Sequence, residues 1–223
     1  MNILVINPNT TASMTEAIGR EAEKAARPGT TILATNPKEG PEAIQGPEDG
    51  EAALPYLFKT FDKMTADQDV DAVVIACFDD TGLFELKARA TIPVVGIGEA
   101  AYHAAMLAGA RFTVVTTLPV SVPVLEDNIR NYGFEKRCAK VRATNIPVLE
   151  LERSPDASEE KIRLEIQTAI KEDKCDAIAL GCAGMSELGA KLEAEFGIPL
   201  IDGVKSAIGL CEMLISSKEG RAS

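Results

Sequence analysis

Asp71-Ala72-Val73-Val74-Ile75-Ala76-Cys77 aligns without a gap on Asp176-Ala177-Ile178-Ala179-Leu180-Gly181-Cys182, at an offset of 105 positions. Each copy is a short unbroken apolar run ending in a cysteine, the pattern of a strand buried on both faces of a parallel sheet. The likeness continues downstream, where Ile92-Pro93-Val94-Val95 matches Ile198-Pro199-Leu200-Ile201 after one inserted residue, and an alanine-rich helical segment follows each. Upstream, Ile3-Leu4-Val5-Ile6-Asn7 corresponds to Phe112-Thr113-Val114-Val115-Thr116. Strands, turns and Ile-Pro edges are common vocabulary in α/β chains, and regularity alone reproduces them. It does not account for a cysteine in the same place twice. In both copies that place is the carboxyl end of a buried strand just before a helix, where open α/β sheets hold their ligands. Two such copies facing each other bring both thiols to one cleft.

Short β-branched runs alternate with longer amphipathic segments along the whole chain, which is the mark of an α/β protein. Strands are expected at 2–7, 30–35, 70–77, 93–97, 111–117, 138–145, 176–181 and 198–201. A helix is expected over 156–173, capped by Asp156 with Glu159 three residues on, its buried face formed by Ile162, Ile166, Ala169 and Ile170. The stretch Asn36 to Gly50 holds six Gly and Pro residues and reads as one long loop, a feature often tied to function.

The 223-residue chain is 46% hydrophobic and 26% charged, the balance of an ordinary globular protein. Its net charge of −11 repels polyanions, so nucleic acid is not an expected partner. No apolar run approaches a membrane span, no basic leader precedes the first strand, and a cytoplasmic location is expected. The five cysteines, Cys77, Cys138, Cys175, Cys182 and Cys211, contain no Cys-x-x-Cys pair and read as free thiols.

Two opposed cysteines suit one chemistry in particular. Inverting a carbon acid requires a base on one face of the carbon and an acid on the other. A thiol at a helix N-terminus is expected to be more acidic than usual, so that one of the pair is thiolate while the other keeps its proton. Buried structural cysteine is the commoner fate of a free thiol, and it suits Cys175 and Cys211 better. Asn7-Pro8-Asn9-Thr10-Thr11, ahead of a helix in which Ser13 and Glu16 have capping-box spacing, and Thr116-Thr117-Leu118-Pro119 offer amides and hydroxyls for a carbonyl or carboxylate. The same groups also suit mere capping and turn closure. Gly96-Ile97-Gly98-Glu99-Ala100-Ala101 fits a loose dinucleotide pattern, but Glu99 would face a pyrophosphate and no acidic residue follows at the next strand end. The single histidine, His103, lies in a helical stretch away from both cysteines and reads as a surface residue, and metal-ligand spacings are lacking.

Ile6-Asn7-Pro8-Asn9-Thr10, Ala76-Cys77-Phe78-Asp79-Asp80, Val115-Thr116-Thr117-Leu118-Pro119 and Leu180-Gly181-Cys182-Ala183-Gly184-Met185 together resemble the hydantoin racemase branch of the aspartate/glutamate racemase superfamily. The resemblance spans nearly the whole chain. It implies two pseudo-symmetric parallel-sheet α/β domains with the active site in the cleft between them. On this division the first lobe covers 1–97, completed by a C-terminal helix over 206–223, and the second covers 98–205. It further implies racemisation without cofactor or metal, with Cys77 and Cys182 as the bases and Asn9, Thr10, Phe78, Thr116, Thr117 and Gly184 around a small-molecule substrate. A homo-oligomer is expected. Amino-acid racemases of the superfamily typically carry Cys-Asn-Thr where this chain has Cys77-Phe78-Asp79, which argues against a free amino acid. Retention of both cysteines argues against the related decarboxylases, which keep one. A 5-substituted hydantoin is the expected substrate. Allantoin is the alternative, and a maleate isomerase or a non-catalytic binding protein stands further off.

Overall fold

The computed structural model describes residues 1–219. The eight expected strands form: β1 (Asn2–Ile6), β2 (Thr31–Thr35), β3 (Ala72–Ile75), β4 (Val94–Gly96), β5 (Phe112–Thr116), β6 (Cys138–Ala143), β7 (Ala177–Gly181) and β8 (Leu200–Asp202). They make two four-stranded sheets of the same order, β2-β1-β3-β4 and β6-β5-β7-β8, with every pair parallel. The repeat in the sequence is thus a repeat in topology.

Parallel neighbours need crossovers, and helices supply them. They are α1 (Ala12–Ala25), α2 (Pro47–Asp67), α3 (Leu83–Arg89), α4 (Ile97–Ala108), α5 (Val122–Asn131), α6 (Glu150–Arg153), α7 (Pro155–Asp173), α8 (Ser186–Phe196) and α9 (Gly203–Glu219). Side chains alternate across a strand, so each sheet feeds two hydrophobic layers. Leu4, Ile6, Val73 and Ile75 pack outward on Leu57 and Phe61 of α2 and on Leu83 and Leu86 of α3. Val115, Ile178 and Leu180 pack outward on Ile162 and Ile166 of α7 and on Leu192 of α8. The opposite faces of both sheets, including Ile3, Val5, Val74, Phe112, Val114 and Ala179, share one central layer with α1, α4 and α9. Within it α9 lies against α4, α1, β3 and β4.

Several local expectations are corrected. Helix α7 starts at Ser154 and Pro155 rather than at an Asp156 cap, because proline's fixed φ and missing N–H suit the first helical position. Ile170 of α7 is 37% exposed, one step off the buried stripe of Ile162, Ile166 and Ala169. The loop from Asn36 ends at Gly46, whose φ of 123° ends the extended stretch, and Pro47 opens α2. Helix α1 has Thr11 at its N-cap, without a side-chain cap bond. Ser13 instead donates from Oγ to Glu152 Oε2 at 2.8 Å, across to the second half. The C-terminal helix begins at Gly203, and the part of its expected range beyond 219 lies outside the described residues. Among the described residues no helix is long and apolar enough to cross a membrane.

Candidate active site

In each sheet the chain leaves the first central strand for one side and returns on the other, so the loops part between β1 and β3, and between β5 and β7. The register aims the cysteines at these openings. Ile6 pairs with Ile75, and the N–H of Ala76 donates to the carbonyl of Ile6 at 2.8 Å, leaving Cys77 just beyond the ladder. Thr116 pairs with Gly181, and its Oγ1 donates to the Gly181 carbonyl at 2.9 Å, leaving Cys182 in the matching position. The two copies differ here, alanine in one and glycine in the other, for a steric reason. A Cβ on Gly181 would come within 2.9 Å of the Thr116 Cα.

One cleft receives both thiols. The first half contributes Asn7, Asn9, Met14, Ile44 and the run Ala76 to Asp79. The second contributes Thr116, Thr117, Ser121, Val148 and the run Gly181 to Ala183. Its polar amides are preset: Asn7 Nδ2 donates to Asn9 Oδ1 at 2.9 Å and to Thr15 Oγ1 at 3.0 Å, while Asn9 Oδ1 also accepts from the Thr11 N–H at 2.9 Å. Phe78 is 3% exposed and stands edge-on to Tyr102, with centroids 5.5 Å apart. Of the residues singled out in the sequence, Cys77, Cys182, Asn9, Phe78, Thr116 and Thr117 meet in this cleft. Gly184 stands behind it, where a Cβ would lie 3.8 Å from Cys182 Sγ and 2.8 Å from Leu151 Cδ1. Thr10 lies outside the lining, its N–H bonded to the Pro41 carbonyl at 3.0 Å.

The thiols are less acidic than expected. Burial pushes Cys77 well above the ordinary thiol range and the Asp79 charge adds to this, opposed by Thr81, whose Oγ1 lies 3.5 Å from the sulfur, and by the Asp79 N–H. Burial pushes Cys182 up to about 11, opposed by the Gly184 N–H and reinforced by Asp79. The helix-end effect loses because no long helix starts at either sulfur. Cys77 is followed by a turn before α3, and Cys182 by a 3-10 turn of three residues, Ala183–Met185. One carboxyl group, Asp79, thus raises both thiols when it is ionised. Asp79 itself is pushed up to about 7 by burial, opposed by Ser121, whose Oγ donates to Oδ2 at 3.4 Å.

Asp79 and Ser121 were not singled out in the sequence, nor were Met14, Ile44 and Val148 as contact residues. For Ile44 a signal existed, since the long breaker-rich loop carries it into the cleft. The glycine pattern at 96–98 has a packing explanation. The Gly98 and Glu99 N–H groups at the start of α4 donate to the Asp80 carboxylate at 3.0 and 2.7 Å, and a Cβ on Gly98 would lie 2.4 Å from the Phe78 carbonyl oxygen. These glycines let α4 seat the turn that carries Phe78 to Asp80. His103 is exposed on α4, with Nδ1 2.8 Å from the Glu99 carbonyl oxygen. Among the described residues no group of three or more His, Cys, Asp or Glu side chains is arranged to hold a metal ion.

Comparison with known proteins gives a consistent picture. The model of the Asp/Glu/Hydantoin racemase family matches residues 3–211. A hydantoin racemase from Rhizobium meliloti is 44% identical over 97% of this chain and 90% of its own length. One from Pseudomonas sp. (strain NS671) is 43% identical over 96% of this chain and 86% of its own. The solved allantoin racemase from Klebsiella pneumoniae superposes with a TM-score of 0.95 at 40% identity, covering 98% of this chain and 89% of that one.

Proposed function

The chain belongs to the Asp/Glu/Hydantoin racemase family, and from that premise we propose that it racemises 5-substituted hydantoins by proton transfer between Cys77 and Cys182. The observation that carries this reading is that two thiols, each at the end of an equivalent strand, line one cleft. The stereocentre of such a ring lies beside a carbonyl, so removing its proton leaves an electron pair that delocalises onto oxygen. One thiolate takes the proton from one face and becomes a thiol. The opposite thiol gives its proton to the other face and becomes the thiolate, so the pair holds one proton before and after turnover. Asn9 and Thr117 line the same cleft and would donate to the developing oxyanion, while Thr116, whose hydroxyl proton is held by the Gly181 carbonyl, shapes the wall beside them. No cofactor takes part in this scheme. Allantoin, itself a hydantoin bearing a ureido group, is the second reading, favoured by the match to the allantoin racemase structure. The same proposal takes the two sheets as two lobes, 1–97 and 98–205, with α9 assigned to the first through its contact with β3 and β4. It places the protein in the cytoplasm as a homo-oligomer.

The test starts from one enantiomer of a 5-alkyl hydantoin or of allantoin, with optical rotation followed to zero. Cys77→Ser and Cys182→Ser are each expected to slow net inversion by roughly 10²- to 10⁴-fold, since a hydroxyl does not replace a thiolate. In deuterium oxide each variant should still wash hydrogen out of one enantiomer, and the two should act on opposite ones. A variant that inverts at near the parent rate would refute the two-thiol scheme.

A further inference from the structure

Asp79 is a charge the two-thiol scheme leaves unused. It follows Cys77 by two residues in the turn leaving β3 and lines the cleft that both thiols share. Its backbone is held, because Asn128 Nδ2 donates to its carbonyl oxygen at 2.9 Å. Its carboxylate is not similarly matched. The one hydrogen bond it receives among the described residues is the long one from Ser121 Oγ, at 3.4 Å. The ionisable groups around it are the Cys77 and Cys182 thiols in the cleft, with Asp80 and the Tyr102 phenol packed behind the turn. No Lys, Arg or His stands in the lining. A carboxylate so placed has spare acceptor capacity, no counter-ion in the lining, and a position in the wall of the cleft.

These features make different demands on different substrates. An amino acid would bring its own carboxylate into a cleft without a cation and against a second carboxyl group, which repels it whenever Asp79 is ionised. A hydantoin-type ring is neutral and carries N–H donors that need acceptors once buried. With the ring substrate taken from the reading above, we propose that Asp79 accepts a hydrogen bond from a ring N–H of the substrate and thereby selects neutral cyclic amides over amino-acid carboxylates. The bond is charge-assisted and stronger than one between neutral partners.

The experiment compares kcat/KM for 5-methylhydantoin and its two ring N-methyl analogues in the parent, Asp79→Asn and Asp79→Ala. The parent is expected to discriminate against methylation at one nitrogen by roughly 10- to 100-fold, the worth of a hydrogen bond to a charged group. Asp79→Ala should bring that ratio to within about threefold, with Asp79→Asn between, since the amide keeps the shape but loses the charge. Calorimetric binding of 5,5-dimethylhydantoin, which has no hydrogen on C5 to lose, reads the same contact without turnover and serves any variant that has lost activity. In the parent its affinity should rise as pH increases through the Asp79 titration at about 7, and Asp79→Asn should flatten that slope. Asp80, also pushed up to about 7 by burial, stays intact in both variants, so the loss of slope belongs to Asp79. Should Asp79→Ala fail to fold, the isosteric Asp79→Asn carries both comparisons. A parent that racemises hydantoins while neither N-methyl position matters, or while the variants keep the parent's ratio and slope, overturns this inference alone. A parent that racemises no hydantoin and no allantoin overturns the reading beneath it as well.

Discussion

At the scale of single residues the cleft opposes two effects on the same sulfurs. Backbone N–H groups of Asp79 and Gly184 favour thiolate, while burial and the Asp79 charge favour thiol, and the second pair wins at both positions. The resting enzyme at neutral pH therefore keeps its protons, and the reactive state with one thiolate is a minority that grows as pH rises. The expected kcat/KM climbs with pH across the range from about 7 to 10, approaching the Cys182 value of about 11. Removing the neighbouring charge in Asp79→Asn lowers both thiols, so this alkaline limb should move to lower pH even as affinity for the ring falls. Parallel pH–rate profiles check it. A limb in the same place in both proteins would mean that Asp79 does not set thiol acidity. The cysteines themselves were legible in the sequence because a repeat marked them twice. Asp79 was not, since its effect depends on the absence of cations contributed by segments far apart in the chain.

At the scale of elements, strands were legible and helix ends were not. A buried parallel strand announces itself as an unbroken apolar run, and Ala72–Ile75 and Ala177–Gly181 are just that. Helix starts turn on one or two polar contacts that long-range packing redirects, as Ser13 shows by reaching Glu152 instead of its own helix. The start of α4 is the sharpest case. Its cap comes from a different segment: Asp80, at φ 52°, turns its carboxylate onto the Gly98 and Glu99 N–H groups and accepts from Tyr132 Oη at 2.8 Å. Removing it in Asp80→Ala strips three donors of one acceptor in a buried place. The expected loss is about 2 to 4 kcal/mol in urea denaturation. A loss below about 0.5 kcal/mol would show that water replaces the carboxylate at little cost.

At the scale of the whole molecule, one central layer joins the two sheets while the cleft opens where their strands end, so the halves are fused behind the site and are bridged in front of it by loops and by the Ser13–Glu152 bond between α1 and α6. The loop from Asn36 to Gly46 is the main strap. It places Ile44 in the lining, and the Gln45 side chain reaches the other half, where its Oε1 accepts from the Val148 N–H at 3.0 Å. Gly46 then passes so close to Val120 that a Cβ there would lie 2.9 Å from a Val120 methyl. Since Ile44 and Val148 both line the cleft, the Gln45 bond fixes the distance between two walls of the site rather than any part of the core. Gln45→Ala should therefore raise KM by roughly three- to tenfold, the worth of one neutral hydrogen bond, while the melting temperature stays within about 2 °C of the parent. Steady-state kinetics and thermal denaturation on the same preparation separate the two effects. An unchanged KM with a lowered melting temperature would make the strap a structural tie between the halves and take it out of substrate binding.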